Sequence, residues 1–231
     1  MLDLLVIAPH PDDAELHAGG LIAAHVRRGA RVGVVDATRG EAASNGDPRG
    51  RAAEAEAAAA VLGLACRECL GLRDGALHAD AATARTALTG ALRRLRPAVV
   101  VALDAHAAHP DHRHLAGLVR DCAKLCAIAR APGDGDAPAL AAPRLWFAEA
   151  EWPMIPQALI PLEEEDWRTK QQAIRCYASQ FDGGVPTSIN AAGFLEWIDA
   201  RGRAWGRHAG SPYAEALRGD LPPRLGDLRG A

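Results

Sequence analysis

An α/β fold is predicted, with a mostly parallel sheet and helices on both of its faces. Three observations carry the prediction. Short apolar runs alternate with helical patterns along the chain. Their spacing suits strand–helix–strand crossovers, which are right-handed in parallel sheets. Polar clusters follow several of the apolar runs, at the strand ends where such sheets bind ligands.

The elements come in order as follows. Leu4 to Ala8 reads as a short buried strand. Ala14 to Arg28 reads as a helix stopped by Gly29. Gly19-Gly20 inside it costs about 1 kcal/mol per glycine relative to alanine, so a close approach to the sheet is expected there. Arg31 to Ala37 is the second strand, and Thr38-Arg39-Gly40-Glu41 leaves its carboxyl end. Ala42 to Gly50 is loop, with Ser44-Asn45-Gly46-Asp47-Pro48 as turn chemistry. Arg51 to Leu62 is a helix closed by Gly63, and a short strand follows near Cys66 to Leu70.

Gly71 to Ala79 is loop, Ala81 to Leu95 is helix, and Ala98 to Leu103 is an all-apolar strand. Asp104 to Pro110 is loop, and the next helix is expected over His114 to Arg130. Pro132 to Pro143 is a surface loop. Leu145 to Glu149 and Ala158 to Leu162 read as further strands, and Glu163 to Ala178 and Gly193 to His208 as helices. The tail from Ser211 is rich in Pro, Gly and Arg and carries no clear assignment.

The 231 residues suit a single domain over 1–231. Hydrophobic residues make up 49%, and the net charge is -3, which gives no reason to expect nucleic acid or an anionic membrane as partner. The five cysteines are odd in number and scattered, so they read as small apolar residues in a reducing compartment. The amino terminus lacks a basic region, and no stretch approaches the roughly 20 apolar residues that span a bilayer. A soluble, cytoplasmic protein is expected.

The chemistry concentrates in two clusters, His10-Pro11-Asp12-Asp13 and His109-Pro110-Asp111-His112. Both follow strands and open onto one face of the sheet. They meet if their strands are neighbours at the switch point. His10, Asp13 and His112 then supply two imidazoles and one carboxylate, a donor set suited to catalytic zinc with an open position for water. Asp12 points elsewhere and is placed as a general base. His109 is placed to stabilise an oxyanion and to protonate a leaving nitrogen, with Asp111 orienting its ring. Glu15 reads as a first-turn helix carboxylate or a group just outside the ligands. His17, His25, His78, His106 and His114 lack partner spacing and read as surface or packing residues. The five tryptophans read as core or interface.

Taken together, His10-Pro11-Asp12-Asp13-Ala14-Glu15, Gly19-Gly20, Thr38-Arg39-Gly40-Glu41 and His109-Pro110-Asp111-His112 resemble the PIG-L/LmbE-like zinc deacetylases. Arg51 with Glu54 and Leu62-Gly63 extends the likeness. So do Tyr177-Ala178-Ser179-Gln180-Phe181, Arg201 with Gly206, and Tyr213-Ala214-Glu215, which look like the bacillithiol-pathway branch.

The resemblance implies a Rossmann-like deacetylase fold and a Zn2+ cofactor on His10, Asp13 and His112, with Fe2+ as the alternative metal in the cell. It implies Asp12 as base, His109 as oxyanion-stabilising acid and Arg51 as a substrate-holding residue. The implied reaction hydrolyses a linear amide, not a peptide bond: the N-acetyl group of N-acetylglucosaminyl malate. Relatives of this kind are commonly oligomeric, and the tryptophans suggest contact area, so a homo-oligomer is expected, a hexamer among its forms. Ala107-Ala108 stands where the bacillithiol branch has Asp-Arg, and an aromatic residue is replaced near Asp104, which leaves the aglycone open. Two alternatives stand beside this reading. One is an LmbE-like deacetylase of a chitobiose, mycothiol-type or antibiotic intermediate. The other is a sugar- or metal-binding relative without turnover, against which intact Asp12 and His109 argue.

Overall fold

The computed structural model describes residues 1–182 and 184–222. Seven strands form one sheet: β1 (Leu2–Ala8), β2 (Val32–Thr38), β3 (Cys66–Leu72), β4 (Pro97–Leu103), β5 (Arg144–Ala148), β6 (Ala158–Leu162) and β7 (Tyr213–Arg218). Their spatial order is β3-β2-β1-β4-β5-β7-β6. The first five are parallel, and β7 runs antiparallel to both β5 and β6. The expected α/β class with a mostly parallel sheet is what the chain adopts.

The helices are α1 (Asp13–Arg27), α2 (Pro48–Leu62), α3 (Ala81–Leu95), α4 (Pro110–Leu125), α5 (Glu164–Arg175), α6 (Ala178–Phe181) and α7 (Phe194–Ala209). They cover both faces of the sheet. Along β1, Leu4, Val6 and Ala8 pack into one core with α1 and α2, while Leu5 and Ile7 pack into the other with α3 and α4. A strand buried on both faces needs an unbroken apolar run, which is how β1 and β4 read in sequence. β1 lies between β2 and β4, so the chain reverses direction of winding at the β1–β4 junction.

Three expectations change. The helix expected from His114 starts at Pro110, because proline at the first helical position fixes φ and needs no donor. The helix expected over Glu163 to Ala178 divides into α5 and α6 at Cys176-Tyr177. The unassigned tail contains β7, which fills the gap between β5 and β6.

The Gly19-Gly20 pair has a specific cause. A Cβ on Gly20 would lie 2.5 Å from Leu162 Cδ1 and 3.1 Å from Glu215 Oε1, and one on Gly19 would lie 2.9 Å from Lys170 Cγ. The close neighbours are thus α5 and the two antiparallel strands. Glu215 accepts from the backbone N–H groups of Gly20 (3.0 Å) and Leu21 (2.6 Å), and pairs with Lys170 Nζ at 2.6 Å. A buried carboxylate with three donors is satisfied, so the contact holds β7 against the middle of α1.

Candidate active site

The β1–β4 junction places the two histidine clusters side by side. Asp12 ends the turn after β1 with φ 107, a left-handed backbone conformation that costs a residue other than glycine about 1–3 kcal/mol. Its carboxylate accepts from Arg51 Nη2 at 2.8 Å, and the same nitrogen donates to the Pro11 carbonyl. Arg51 Nη1 reaches the Gly40 carbonyl at 3.4 Å. Gly40 has φ 65, and any side chain on it would strike the Arg51 guanidinium. Thr38 Oγ1 donates to the Pro9 carbonyl at 3.0 Å, tying the end of β2 to the same turn.

Asp13 is the meeting point of the imidazoles. Its Oδ2 lies 3.0 Å from His10 Nδ1 and 3.2 Å from His112 Nε2. Two donor atoms bound tetrahedrally to one zinc at 2.0–2.1 Å are about 3.3 Å apart, close to both of these distances, and His10 also brings a ligand atom within 4.8 Å of Asp74 and Asp111. His10, His109 and His112 also bring ring nitrogens within 4.8 Å of one another. Burial disfavours charge on His10 and His112, yet the surrounding carboxylates raise both above the ordinary histidine range. Asp13 is pushed up by burial but held well below the carboxylate range by His112 and His10. Asp12 differs: burial raises its carboxyl to about 8 against the opposing pull of Arg51.

Behind the imidazoles stand three acidic residues. His10 Nε2 is 3.0 Å from Asp74 Oδ1 and 3.5 Å from Asp111 Oδ2, which turns Nδ1 toward Asp13. Asp74 is itself held by the N–H of Ala42 (2.9 Å), and its own N–H donates to Glu41 Oε1 (2.9 Å). Glu151 Oε1 lies 3.4 Å from His112 Nδ1, and the carboxylate accepts from the N–H of Ala108 at 2.6 Å.

His109 caps α4: its Nδ1 accepts from the Asp111 N–H at 3.2 Å. The neutral ring therefore carries its proton on Nε2. Burial and the charge of His10 hold His109 below the usual histidine range, which favours that neutral form.

Three expected roles change or narrow. Asp111 does not orient His109 through its carboxylate. Because α4 begins at Pro110, its backbone N–H does so, while the carboxylate accepts from Gly75 (2.7 Å) and Leu77 (3.2 Å) and faces His10. Glu15 is a first-turn carboxylate of α1, one of its two expected places, and stands outside the cluster. Its Oε1 lies 2.5 Å from Arg67 Nη1, and Arg67 also grips Asp36 at 2.7 and 2.9 Å. Arg51, expected to hold substrate, is buried and bonded to Asp12.

Residues not anticipated complete the cleft of about 480 Å3. Asp74, Glu151, Trp152, Gln180 and Trp197 line it, so two tryptophans serve the cleft and not the core. His17, read as a surface or packing residue, lies with Nε2 3.9 Å from Asp13 Oδ1 and Nδ1 3.5 Å from Arg201 Nη2. Its position one helical turn after Asp13 was the available signal.

The pattern of the GlcNAc-PI de-N-acetylases, PIG-L, matches residues 5–123, more than half of the chain. The chain belongs to the PIG-L family. This PIG-L chain is 37% identical, at a TM-score of 0.88, to the conserved protein TT1542 of Thermus thermophilus, over 99% of both chains. It is 25% identical to the N,N'-diacetylchitobiose deacetylase of Pyrococcus horikoshii, at a TM-score of 0.79, over 95% of this chain and 83% of that one. A 1D-myo-inositol 2-acetamido-2-deoxy-alpha-D-glucopyranoside deacetylase from Rhodococcus erythropolis is 27% identical over 89% of this PIG-L chain and 80% of its own. Matches to proteins of the same name from Mycobacterium sp. span 46% of their length. No helix among the described residues is long and apolar enough to cross a membrane.

Proposed function

We propose that this PIG-L protein hydrolyses the N-acetyl group of a small N-acetylglucosamine-containing molecule. The observation that carries the reading is the convergence of His10 Nδ1 and His112 Nε2 on one oxygen of Asp13, beside a separately held Asp12. His10, Asp13 and His112 would hold the metal, which we take to be zinc, with ferrous iron as the alternative. Bound there, a divalent ion lowers the pKa of water toward neutrality and polarises an acyl oxygen.

The chain's own groups do the rest. Asp12, whose carboxyl is held in place by Arg51, takes the proton of the attacking water. His109 presents Nε2–H to the acyl oxygen as that oxygen gains charge, and the proton that Asp12 took from water passes to the leaving nitrogen. His10 is locked by Asp74 and Asp111, so its Nδ1 lone pair keeps one direction. A cleft of about 480 Å3 suits a small glycoside.

The sequence-based choice of N-acetylglucosaminyl malate is one member of this substrate class. The names of the curated relatives favour an inositol glycoside instead. The test is acetate release from N-acetylglucosamine glycosides by zinc-loaded protein. Release that disappears in Asp12→Asn is expected; no release from any such glycoside would overturn the reading.

A further inference from the structure

His17 has no part in the chemistry above, yet it lies buried in the wall of the cleft, one helical turn after Asp13 on α1. Asp13 uses its two oxygens unequally. Oδ2 accepts from the His10 backbone N–H at 3.0 Å and faces the rings of His10 and His112. Oδ1 takes part in no hydrogen bond among the described residues, and His17 Nε2 stands 3.9 Å from it. That separation is longer than a hydrogen bond, but residues four apart on a helix share one face, so the two side chains are neighbours by construction. The His17 ring also stands edge-on to His112, with centroids 6.2 Å apart.

The far side of the ring gives it a direction. His17 Nδ1 lies 3.5 Å from Arg201 Nη2. A guanidinium only donates, so Nδ1 accepts and the ring carries its proton on Nε2, toward Asp13. Arg201 comes from α7 and is held on three sides. Its Nη1 donates to the Ala150 carbonyl at 2.5 Å, its Nε is 3.7 Å from Glu149 Oε2, and its plane covers the Trp197 ring at 4.6 Å from the centroid. Glu149 is fixed in turn by Trp205 Nε1 at 2.7 Å and by the Met154 N–H at 3.2 Å. A guanidinium braced in this way leaves the His17 ring one tautomer and one orientation.

We infer that His17, set by Arg201, is a positioning residue for Asp13: its Nε2–H draws Oδ1 and leaves Oδ2 as the oxygen that a metal ion meets. An aspartate with both oxygens free can turn and bind an ion through both, which uses up a coordination position. Catalytic zinc sites keep one position open, and groups outside the ligands orient them by hydrogen bonds of this kind. Asp13 as a metal ligand is taken from the deacetylase reading above, on which this rests. What is added is a route by which α7, which supplies no ligand, fixes the direction of one.

The probe is Co2+, whose visible absorption is stronger in a tetrahedral site than in one of higher coordination number. Metal-free protein is titrated with Co2+, and the dissociation constant and the absorption per bound ion are read together. His17→Met fills the space without a donor, whereas His17→Gln can place an amide N–H near the position of Nε2. His17→Met is expected to bind Co2+ about 10–100-fold more weakly, with lower absorption per ion. His17→Gln should recover most of both. Arg201→Met leaves the imidazole in place but frees its tautomer. It should shift both readings in the direction of His17→Met, and it carries the test if that variant does not fold. Readings in His17→Met or Arg201→Met that match the unaltered protein overturn the inference and leave the deacetylase reading standing. Equal losses in His17→Met and His17→Gln also overturn it, since a residue that only fills space would behave so. No uptake of Co2+ by the unaltered protein overturns the metal assignment and this inference with it.

Discussion

Asp13 Oδ2 lies 3.2 Å from His112 Nε2, across the junction of the β1 turn and the first turn of α4. The two residues come from segments far apart in sequence, and only the adjacency of β1 and β4 brings them together. We predict that His10→Ala, Asp13→Ala and His112→Ala each lower zinc affinity by more than the about 10–100-fold typical of an outer partner. Metal content after dialysis against a graded chelator reads this. Full occupancy in all three variants would sink the assignment.

Asp12 and Asp13 are adjacent and chemically identical, yet their surroundings separate them. Asn tolerates left-handed backbone better than most residues, so Asp12→Asn fits φ 107 and keeps a hydrogen bond to Arg51. A positioned base contributes about 10²–10⁴-fold. The variant should retain zinc and lose kcat on that scale. Loss of the metal, or kcat near that of the unaltered protein, would refute the division of roles.

Arg51 and Asp12 form a buried ion pair at 2.8 Å. Asp12 is already raised to about 8 and takes up a proton when Arg51 is lost, so the cost is that of a buried carboxyl left without its donor, about 1–3 kcal/mol. Arg51→Met is expected to lower stability on that scale in urea unfolding. In an Asp12→Asn background the same substitution should cost less. Equal losses in both backgrounds would show that the pair is not energetically coupled.

Asp166 gives a pH dependence remote from the histidine cluster. Burial alone would raise it, but hydrogen bonds from Arg27 at 2.8 Å hold its carboxyl below the usual range. The folded pKa lies below the unfolded one, so the unfolded chain binds the proton first. The contribution is complete above the ordinary aspartate range and fades as pH falls through the folded pKa. Melting temperature should fall on acidification below about pH 4, and Asp166→Asn should flatten that limb. An acid limb unchanged by the substitution would count against the bond.

Much of this arrangement was legible in the sequence. The all-apolar β1 and β4 and the paired His-Pro-Asp runs follow from period and turn chemistry. β7 was not legible. Tyr213 to Arg218 is made of residues that favour helix as much as strand, and it is a strand because β5 and β6 offer it two ladders. Asp74 and Glu151 escaped notice because a single carboxylate in a loop has no pattern. Pro110 was a helix-start signal that the histidine motif around it obscured. The bond between Arg51 and Asp12 crosses two loops, and spacing along the chain cannot show it.

The Glu215 contact with Gly20 and Leu21 bears on the order of events during synthesis. Translation delivers the His10, Asp13 and His112 segments before β7, which sits inside the sheet. Until it arrives, α1 lacks the carboxylate at its middle and β6 lacks its partner. Contacts between distant parts of a chain form slowly, and partly assembled sheets expose edges that aggregate. Amide exchange at Gly20 and Leu21 should therefore gain protection together with β7 during refolding, and protection ahead of β7 would contradict this. A chain released from the ribosome before Tyr213 would carry every residue of the site and lack the strand that holds its first helix in place.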